Sequence, residues 1–472
     1  MKLYRNAIIL VVVLAILAGA YAFAKNVKKD GEDDASDSEI LRIFDLETDK
    51  IVEITLENKD GKSVFVKETV KEKDEEGNEA EKKVWKASSP ADLKIDSSSI
   101  NSIAINFSSL RADKVIEENA TDLSQYGLDD PVRISVKMDD GTVKTLEVGN
   151  KTPTESGYYA KEKDSSNVYL IGTYEGGKFT ISKNDFRDKT LFTFEAADVK
   201  TLTLERQGSI VFTANKVDNY EWQIVEPIQA DANVSSISPM IEAISATKIK
   251  EFIEENPADL SKYGLTNPRY SFEFETSSGK NKLILGNEKT KDTDIYAKLD
   301  SNDEVFTISL TDYTFLDKPF KEIVDAFAYI VSIWDVSEIE VKIDGQTINC
   351  TVDSTEGGDS ENDKFTVNGK DATMEDEDGN QPFRKFYQAL IGITLADVEL
   401  DAQPQGEAEV IFTYKLKKAP YTMKVEFIPK DNLYCYVVKN GVYSGITVEK
   451  SKFDEVRTTY KTMMEVIEKA GQ

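Results

Sequence analysis

Ile116-Glu-Glu-Asn-Ala-Thr-Asp-Leu-Ser-Gln-Tyr-Gly-Leu128 returns as Ile253-Glu-Glu-Asn-Pro-Ala-Asp-Leu-Ser-Lys-Tyr-Gly-Leu265, with ten of thirteen positions identical at an offset of 137. The same offset pairs Trp85 with Trp222, Pro131 with Pro268, Gly149-Asn150 with Gly286-Asn287, and Tyr159-Ala-Lys161 with Tyr296-Ala-Lys298. One constant offset held over about 75 residues marks a duplicated structural unit. Upstream of the tryptophan the offset becomes 148, aligning Ile51–Leu56 with Val199–Leu204. The extra residues fall in Lys67 to Lys83, a charged stretch that reads as an elongated hairpin loop. A third, divergent copy opens near Asp335, where Val336 to Val341 repeats Val199 to Leu204. Phe383 to Glu399 then resembles the helix-plus-strand portion, and Ala402 to Ala408 stands where the Tyr-Gly-Leu segment is missing.

Within a copy, alternating strands open the unit: Ile51–Glu57, Ser63–Val66 and a tryptophan-bearing strand near Val84–Ala87. Ile100, Ile103, Phe107 and Leu110 then recur at helical spacing, as do Val234, Ile237, Ile241 and Ile244 in the second copy. Arg133–Met138 and Val143–Val148 flank Asp139-Asp140-Gly141, a hairpin signal. Tyr158–Lys161 and Val168–Ile171 form another pair, and a short helical stretch, Lys183 to Asp188, leads onward. The fold class expected is α+β: an N-terminal transmembrane helix followed by tandem repeats of antiparallel sheet plus one packed helix. The divisions are 1–24 anchor, 25–40 acidic linker, 41–190 first unit, 191–330 second unit and 331–472 third unit. In the second copy Asn256 reads as a helix N-cap, with Pro257 first in the helix, Asp259 third, and Gly264 left-handed after the last turn. Leu260, Tyr263 and Leu265 would pack that turn onto the sheet. The competing reading has Tyr126 and Tyr263 present ring edges to a ligand, beside Glu118 and Glu255 of the repeated acidic pair.

The chain has 472 residues, 58 Lys plus Arg against 86 Asp plus Glu, and a net charge of −28, so it lacks the broad basic face that nucleic acid requires. Histidine is absent, which removes the commonest general base, the commonest metal ligand and any His-centred triad. Two cysteines without histidine do not complete a tetrahedral zinc site. Cys350 and Cys435 each fall on an expected strand of the third copy, and sequence leaves both a disulfide and two buried thiols open. Asp376, Asp378 and Gly379 look like the start of a calcium loop, but that register puts Met374 at position one and Lys385 at position twelve, so an EF-hand fails. Loose calcium binding by acidic loops stays open. Ser277 and Lys280 have serine–lysine spacing inside a hairpin turn. No P-loop or dinucleotide glycine pattern appears, and no cofactor is expected.

At the N-terminus, Lys2 and Arg5 precede an uncharged apolar run from Ala7 to Ala24. Eighteen helical residues span roughly 27 Å, close to the hydrocarbon thickness. The run reads as an uncleaved signal anchor, while Ala20-Tyr21-Ala22 and Ala22-Phe23-Ala24 leave a cleaved signal peptide open. Ala15 with Gly19, and Ala18 with Ala22, are four apart, a spacing that lets helices approach closely in lipid. Lys25, Lys28 and Lys29 after the run leave the charge rule undecided; the short basic tail places the body outside the cytoplasmic membrane.

The pattern of strands, Asp-Leu-Ser-x-Tyr-Gly-Leu-x-x-Pro, a strand hairpin, Leu-x-x-Gly-Asn and Tyr-Tyr-Ala-Lys resembles the bacterial domain-of-unknown-function 4340 family. The resemblance covers most of Leu46 to Leu310 and weakens from Asp335 onward. It implies an envelope location and a partner among ABC transporter components of the gliding-motility type, and it supplies no catalytic residues. The expectation is a non-enzymatic, single-pass, extracytoplasmic binding or assembly protein of the cell membrane, accessory to an ABC permease or its companion subunits. The alternatives are a structural or adhesive envelope protein that binds wall glycan or a surface protein, and a carboxylate-based hydrolase.

Overall fold

The structure, a computed structural model, describes residues 41–73, 79–218 and 221–470. The anchor expected over Ala7–Ala24, with Ala15, Ala18, Gly19 and Ala22, lies outside the described residues. Among the described residues no helix is long and apolar enough to cross a membrane. The chain forms two compact units, dividing between Asp188 and Lys189.

The first unit contains β1 (Ile51–Asn58), β2 (Gly61–Lys73), β3 (Glu79–Ser89), α1 (Ser97–Ser108), β4 (Lys114–Glu117), β5 (Val132–Met138), β6 (Val143–Lys151), β7 (Gly157–Glu162), β8 (Val168–Gly172) and α2 (Thr173–Phe179). Its strands make one antiparallel sheet in the order β3-β2-β1-β5-β6-β7-β8-β4. Alternation puts Ile54 and Leu56 of β1, Ile134 and Val136 of β5, and Leu146 and Val148 of β6 on one buried face. α1 covers that face. Asp96 caps it by accepting from Ser98 N at 2.9 Å, and Ile100, Ile103, Ala104 and Phe107 form its buried stripe. Phe107 stacks on Phe44 at 4.5 Å and meets Phe179 edge-on at 6.2 Å. Each such buried ring contributes roughly 1.5–3 kcal/mol of transfer free energy.

Two local expectations change. Lys67 to Lys83 is not simply a loop: β2 and β3 stay paired from Lys67↔Trp85 to Lys73↔Glu79. Opposite charges across the ribbon, such as Glu68 with Lys86 at 2.9 Å and Lys71 with Glu79 at 3.3 Å, stabilise strands that carry few apolar residues. The helix after β8 is Thr173–Phe179, while Lys183–Asp185 is one 3-10 turn. Two glycines hide α2 from a propensity reading. Gly176 is needed there, because a Cβ would sit 2.1 Å from the Tyr158 ring.

The second unit holds two more sheets over one continuous hydrophobic core. The first comprises β9 (Thr201–Arg206), β10 (Ser209–Lys216), β11 (Trp222–Glu226), β12 (Ala230–Asp231), α3 (Val234–Ser245), β13 (Glu251–Glu254), β14 (Tyr270–Thr276), β15 (Gly279–Thr290), β16 (Asp294–Leu299) and β17 (Val305–Ser309). The other comprises β18 (Val336–Ile343), β19 (Gln346–Asp353), β20 (Lys364–Val367), β21 (Lys370–Asp371), α4 (Pro382–Ile391), β22 (Leu395–Val398), β23 (Val410–Leu416), β24 (Thr422–Pro429), β25 (Tyr434–Lys439), β26 (Val442–Glu449) and α5 (Lys452–Ala470). Their orders, β12-β11-β10-β9-β14-β15-β16-β17-β13 and β21-β20-β19-β18-β23-β24-β25-β26-β22, repeat that of the first sheet with one short strand added at the edge. The α+β class therefore holds. The third copy, divergent in sequence, keeps the whole topology and gains α5, which packs on α4 through Tyr460 and Phe386 at 5.7 Å.

The segment between the second and third sheets is itself paired. Ile323–Asp325 bonds the residues ahead of α3, with Asn233 N donating to Ile323 O at 2.7 Å and Asp325 N to Asp231 O at 2.9 Å. Ala326–Ala328 bonds the residues after α4, with Leu395 N donating to Ala326 O and Ala328 N to Ile393 O, each at 2.8 Å. In the first unit, Phe186 and Asp188 bond the residues ahead of α1 in the same way, through Asp96 and Lys94.

Cys350 on β19 and Cys435 on β25 are free and buried. Three strands, β18, β23 and β24, lie between them. At about 4.8 Å per strand the separation is far too wide for a disulfide. Burial pushes the thiols up to about 12 and about 11, so both stay protonated near neutrality.

Candidate functional site

The repeated thirteen residues build the same small structure in the first and second copies. Asp122 accepts from Ser124 N at 3.1 Å and from Ser124 Oγ at 2.6 Å; Asp259 accepts from Ser261 N at 2.8 Å. These side-chain turns start single 3-10 turns, Ser124–Tyr126 and Ser261–Tyr263. The helix expected to begin at Asn256 and Pro257 is thus one turn long, and Asp259 supplies the side-chain acceptor at its start. Gly127 and Gly264 end the turns in the left-handed region, at φ 67° and 72°.

The floor of each turn is the Gly-Asn pair of the neighbouring strand. A Cβ on Gly149 would lie 2.2 Å from Tyr126 O, and one on Gly286 would lie 2.1 Å from Tyr263 O. Asn150 and Asn287 fill the space against Gly127 and Gly264. The two recurring motifs are therefore halves of one contact in which backbone meets backbone.

Tyr126 donates to Glu117 Oε2 at 2.6 Å, and Tyr263 donates to Glu254 Oε2 at 2.7 Å. Each ring packs on a second tyrosine, Tyr159 or Tyr296, with centroids 4.9 Å apart. The bond to Glu117 pushes the Tyr126 phenol up to about 12, and Glu254 raises that of Tyr263 in the same direction. Lys262, 2.6 Å from Glu254, and then Tyr263 hold the Glu254 carboxyl below its ordinary range.

The structure places Tyr126 and Tyr263 at 9 % exposure with their hydroxyls engaged, while Glu118 and Glu255 are exposed beyond the ends of β4 and β13. The carboxylates that meet the tyrosines are Glu117 and Glu254, one residue earlier in each repeated pair. The sequence carried a signal for this: side chains alternate along a strand, so only one glutamate of the pair can face the turn.

Lys161, from the repeated Tyr-Ala-Lys, was not singled out and is 5 % exposed. Its ammonium lies 2.9 Å from Glu147 Oε2 and donates to the carbonyls of Glu162, Lys163 and Ser165; Arg133 holds the other Glu147 oxygen at 3.0 Å. Lys298 fills the same place in the second copy, 2.8 Å from Asp303. The chemistry of these groups is that of a fastening: among the described residues no buried side-chain nitrogen or oxygen lacks a hydrogen-bond partner.

One open cleft of about 720 Å³ lies in the second unit, where the strand of Trp222 approaches Val331, Leu416 and Met423. Asp218, Glu221, Asp231, Asp325 and Asp335 line it with Lys418 and Lys439. Burial, and then Asp231 and Asp218, raise the proton affinity of Glu221. Such a lining favours cationic groups and hydrogen-bond donors. Among the described residues, no three His, Cys, Asp or Glu side chains are placed to hold a metal ion. In the calcium-like stretch, Asp376 Oδ1 accepts from the backbones of Asp378 and Asn380 in its own loop.

Fold and site define a class: tandem antiparallel units, each closed by a helix, with a buried turn fastened to a glycine strand in two of them. The chain belongs to the family described as Domain of unknown function (DUF4340), whose model matches residues 85–221 and 222–417. Both matches begin at a tryptophan, Trp85 and Trp222. No curated protein and no solved structure matches the chain.

Proposed function

We propose that this is a membrane-anchored, extracytoplasmic binding and assembly protein of the cell envelope, accessory to an ABC-type transport system. The observation that carries this reading is the use made of the repeated residues. Tyr126, Tyr263, Glu117, Glu254, Lys161 and Lys298 are all committed to holding the fold, which leaves broad polar sheet surfaces as the working part. Hydroxyl pairs such as Ser135–Thr145 at 2.8 Å, Thr203–Thr213 at 3.1 Å and Thr351–Thr366 at 2.7 Å recur on those surfaces. The apolar run Ala7–Ala24 would localise the chain, and the charge of −28 would hold its body off anionic lipid and wall polymers.

The test is crosslinking of the full-length protein in native membranes, followed by affinity purification and mass spectrometry. Recovery of a permease or its companion subunits, lost when Ala7–Ala24 is replaced by a foreign anchor, supports the proposal. Efficient crosslinking with no transporter subunit recovered overturns it, and binding of wall glycan by the body would then favour the adhesive reading.

A further inference from the structure

The first and second copies differ at their matched tryptophans. Trp85 donates its indole N–H to Asn101 Oδ1 at 3.4 Å. At the same offset of 137, the shorter Ser238 stands where Asn101 does, and among the described residues the Trp222 N–H has no acceptor. Trp222 is only 4 % exposed. No side-chain nitrogen sealed from solvent lacks a partner among the described residues, so this one reaches solvent, and the opening that Trp222 lines is the acidic cleft of about 720 Å³. An enclosed indole N–H of this kind is a donor in want of an acceptor. The carboxylates of the cleft lack the opposite partner. Among the described residues Glu221, Asp231 and Asp335 form no ion pair, and neither do Lys418 and Lys439, the two lysines of the lining. Burial, and then the neighbouring Asp231 and Asp218, raise the proton affinity of Glu221, as crowded carboxylates do without a cation between them. Beside these charges lie Ile330, 53 % exposed, and the buried Val331 and Met423.

We propose that this cleft docks a polypeptide segment of a partner protein, one that carries lysine or arginine next to an apolar residue. Charge complementarity selects the occupant: five carboxylates face two lysines in the lining. A small cation would answer the carboxylates alone, and a neutral glycan would answer the indole alone. A basic peptide answers both and the apolar surface as well. Its ammonium or guanidinium meets carboxylates that have no cation of their own, its aliphatic stem and apolar neighbour lie on Ile330, Val331 and Met423, and a backbone carbonyl accepts from Trp222. The volume falls in the range of pockets that enclose a ligand of a few residues. This assignment stands whether or not the partner belongs to a transporter.

The experiment pans a library of random heptapeptides displayed on phage against the full-length chain in detergent, then measures the affinity of synthetic copies of the enriched peptides. The enriched peptides should share basic residues flanking an apolar one. Asp231→Asn/Asp335→Asn should weaken them about tenfold, and Trp222→Phe, which keeps a ring and removes the N–H, about fivefold. Glu377→Gln/Asp378→Asn, the same charge change in an exposed loop away from the cleft, should alter affinity less than about twofold. Hydrogen exchange of the β10 and β11 amides checks that each variant is folded, and the two asparagine changes test the cleft even if Trp222→Phe loosens the strand. The proposal is overturned if no peptide is enriched, or if the enriched peptides lack basic residues. It is also overturned if the loop variant loses as much affinity as the cleft variant, as bulk attraction to a chain of charge −28 would produce. Undiminished binding by a folded Trp222→Phe chain would overturn the polypeptide as occupant, since the carbonyl contact is what distinguishes it from a simple cation.

Discussion

The second and third sheets share an identical strand order, yet only the second has the Tyr-Gly-Leu turn. Their registers show what goes with it. Leu204 faces Phe272, which faces Leu283; Val341 faces Phe412, which faces Val425. Gly286 therefore corresponds to Ile428. One strand further, Leu285 faces Ala297 and Phe427 faces Val437, so Lys298 corresponds to Val438. The third copy has lost the turn, the glycine beneath it and the buried lysine beside it together, and its sheet is intact. Sheet and helix core make the fold; the repeated motif is a separable clamp whose parts make sense only as a set.

The largest expected effect comes from giving the first copy the residue of the third, Lys161→Val. Lys161 and Glu147 are nearly enclosed, and removing one partner of a buried pair costs roughly 3–5 kcal/mol. Glu147 occupies the position that is Ile284 in the second copy, so Lys161→Val/Glu147→Ile should recover most of the loss. Because a chain of several units need not unfold in one step, hydrogen exchange of the β6 and β7 amides is the measurement, and full protection in the single variant would break the comparison.

Next is Gly286→Ile, the same exchange between the second and third copies. The new side chain meets the Tyr263 carbonyl, and overpacking of this kind costs about 1–3 kcal/mol. Faster exchange at Gly264 and Leu265 should report it. The reverse change, Ile428→Gly, should cost less, because no turn lies above it; equal losses would show that the glycine serves the strand and not the clamp.

A smaller effect is expected at alkaline pH. The Tyr126 phenol is raised from 10.0 to about 12 in the folded chain. A raised value means that its contribution is complete below pH 10 and is lost as pH rises towards 12. Tyr126→Phe should flatten the alkaline fall in first-unit stability over that window, read by hydrogen exchange with a phenolate absorbance titration alongside. An unchanged fall would remove the Tyr126–Glu117 bond from the clamp.

The smallest effect concerns the third copy alone. A thiol reagent at pH 8 should label neither Cys350 nor Cys435 before denaturation and both after it. Rapid labelling of the native protein would mean that the unclamped copy opens under native conditions.

Much of the architecture was legible because duplication writes itself as an offset: Trp85 and Trp222, or Gly149 and Gly286, needed only counting. The helices announced themselves through Ile100, Ile103 and Phe107 and through Ile237, Ile241 and Ile244, whose spacing survives any loop change. The paired ribbon of Lys67–Lys73 and Glu79–Lys83 was obscured because cross-strand charge, not apolar alternation, marks it. α2 was obscured by Gly176, whose reason is the Tyr158 ring above it. In the site, the tyrosines were legible as repeated residues but their partners were displaced by one, because Glu117 and Glu118 look alike until strand alternation chooses between them. Lys161 gave no signal of burial, since a lysine in a strand reads as solvent-facing. The completeness of the third sheet was hidden for the opposite reason: the most recognisable residues belong to the clamp, which that sheet does without.

The boundary between the two family matches falls after residue 221, between strands that pair Ala214 with Ile224 and Lys216 with Trp222. A gene cut there would leave β9 and β10 on one product and the other strands of that sheet on the second, parting β10 from β11 and β9 from β14. Expressed together, the two fragments would have matching raw edges and a shared core to rebuild, as a split reporter does. The family border is thus a place to divide the polypeptide into complementing halves, and a poor place to isolate a domain.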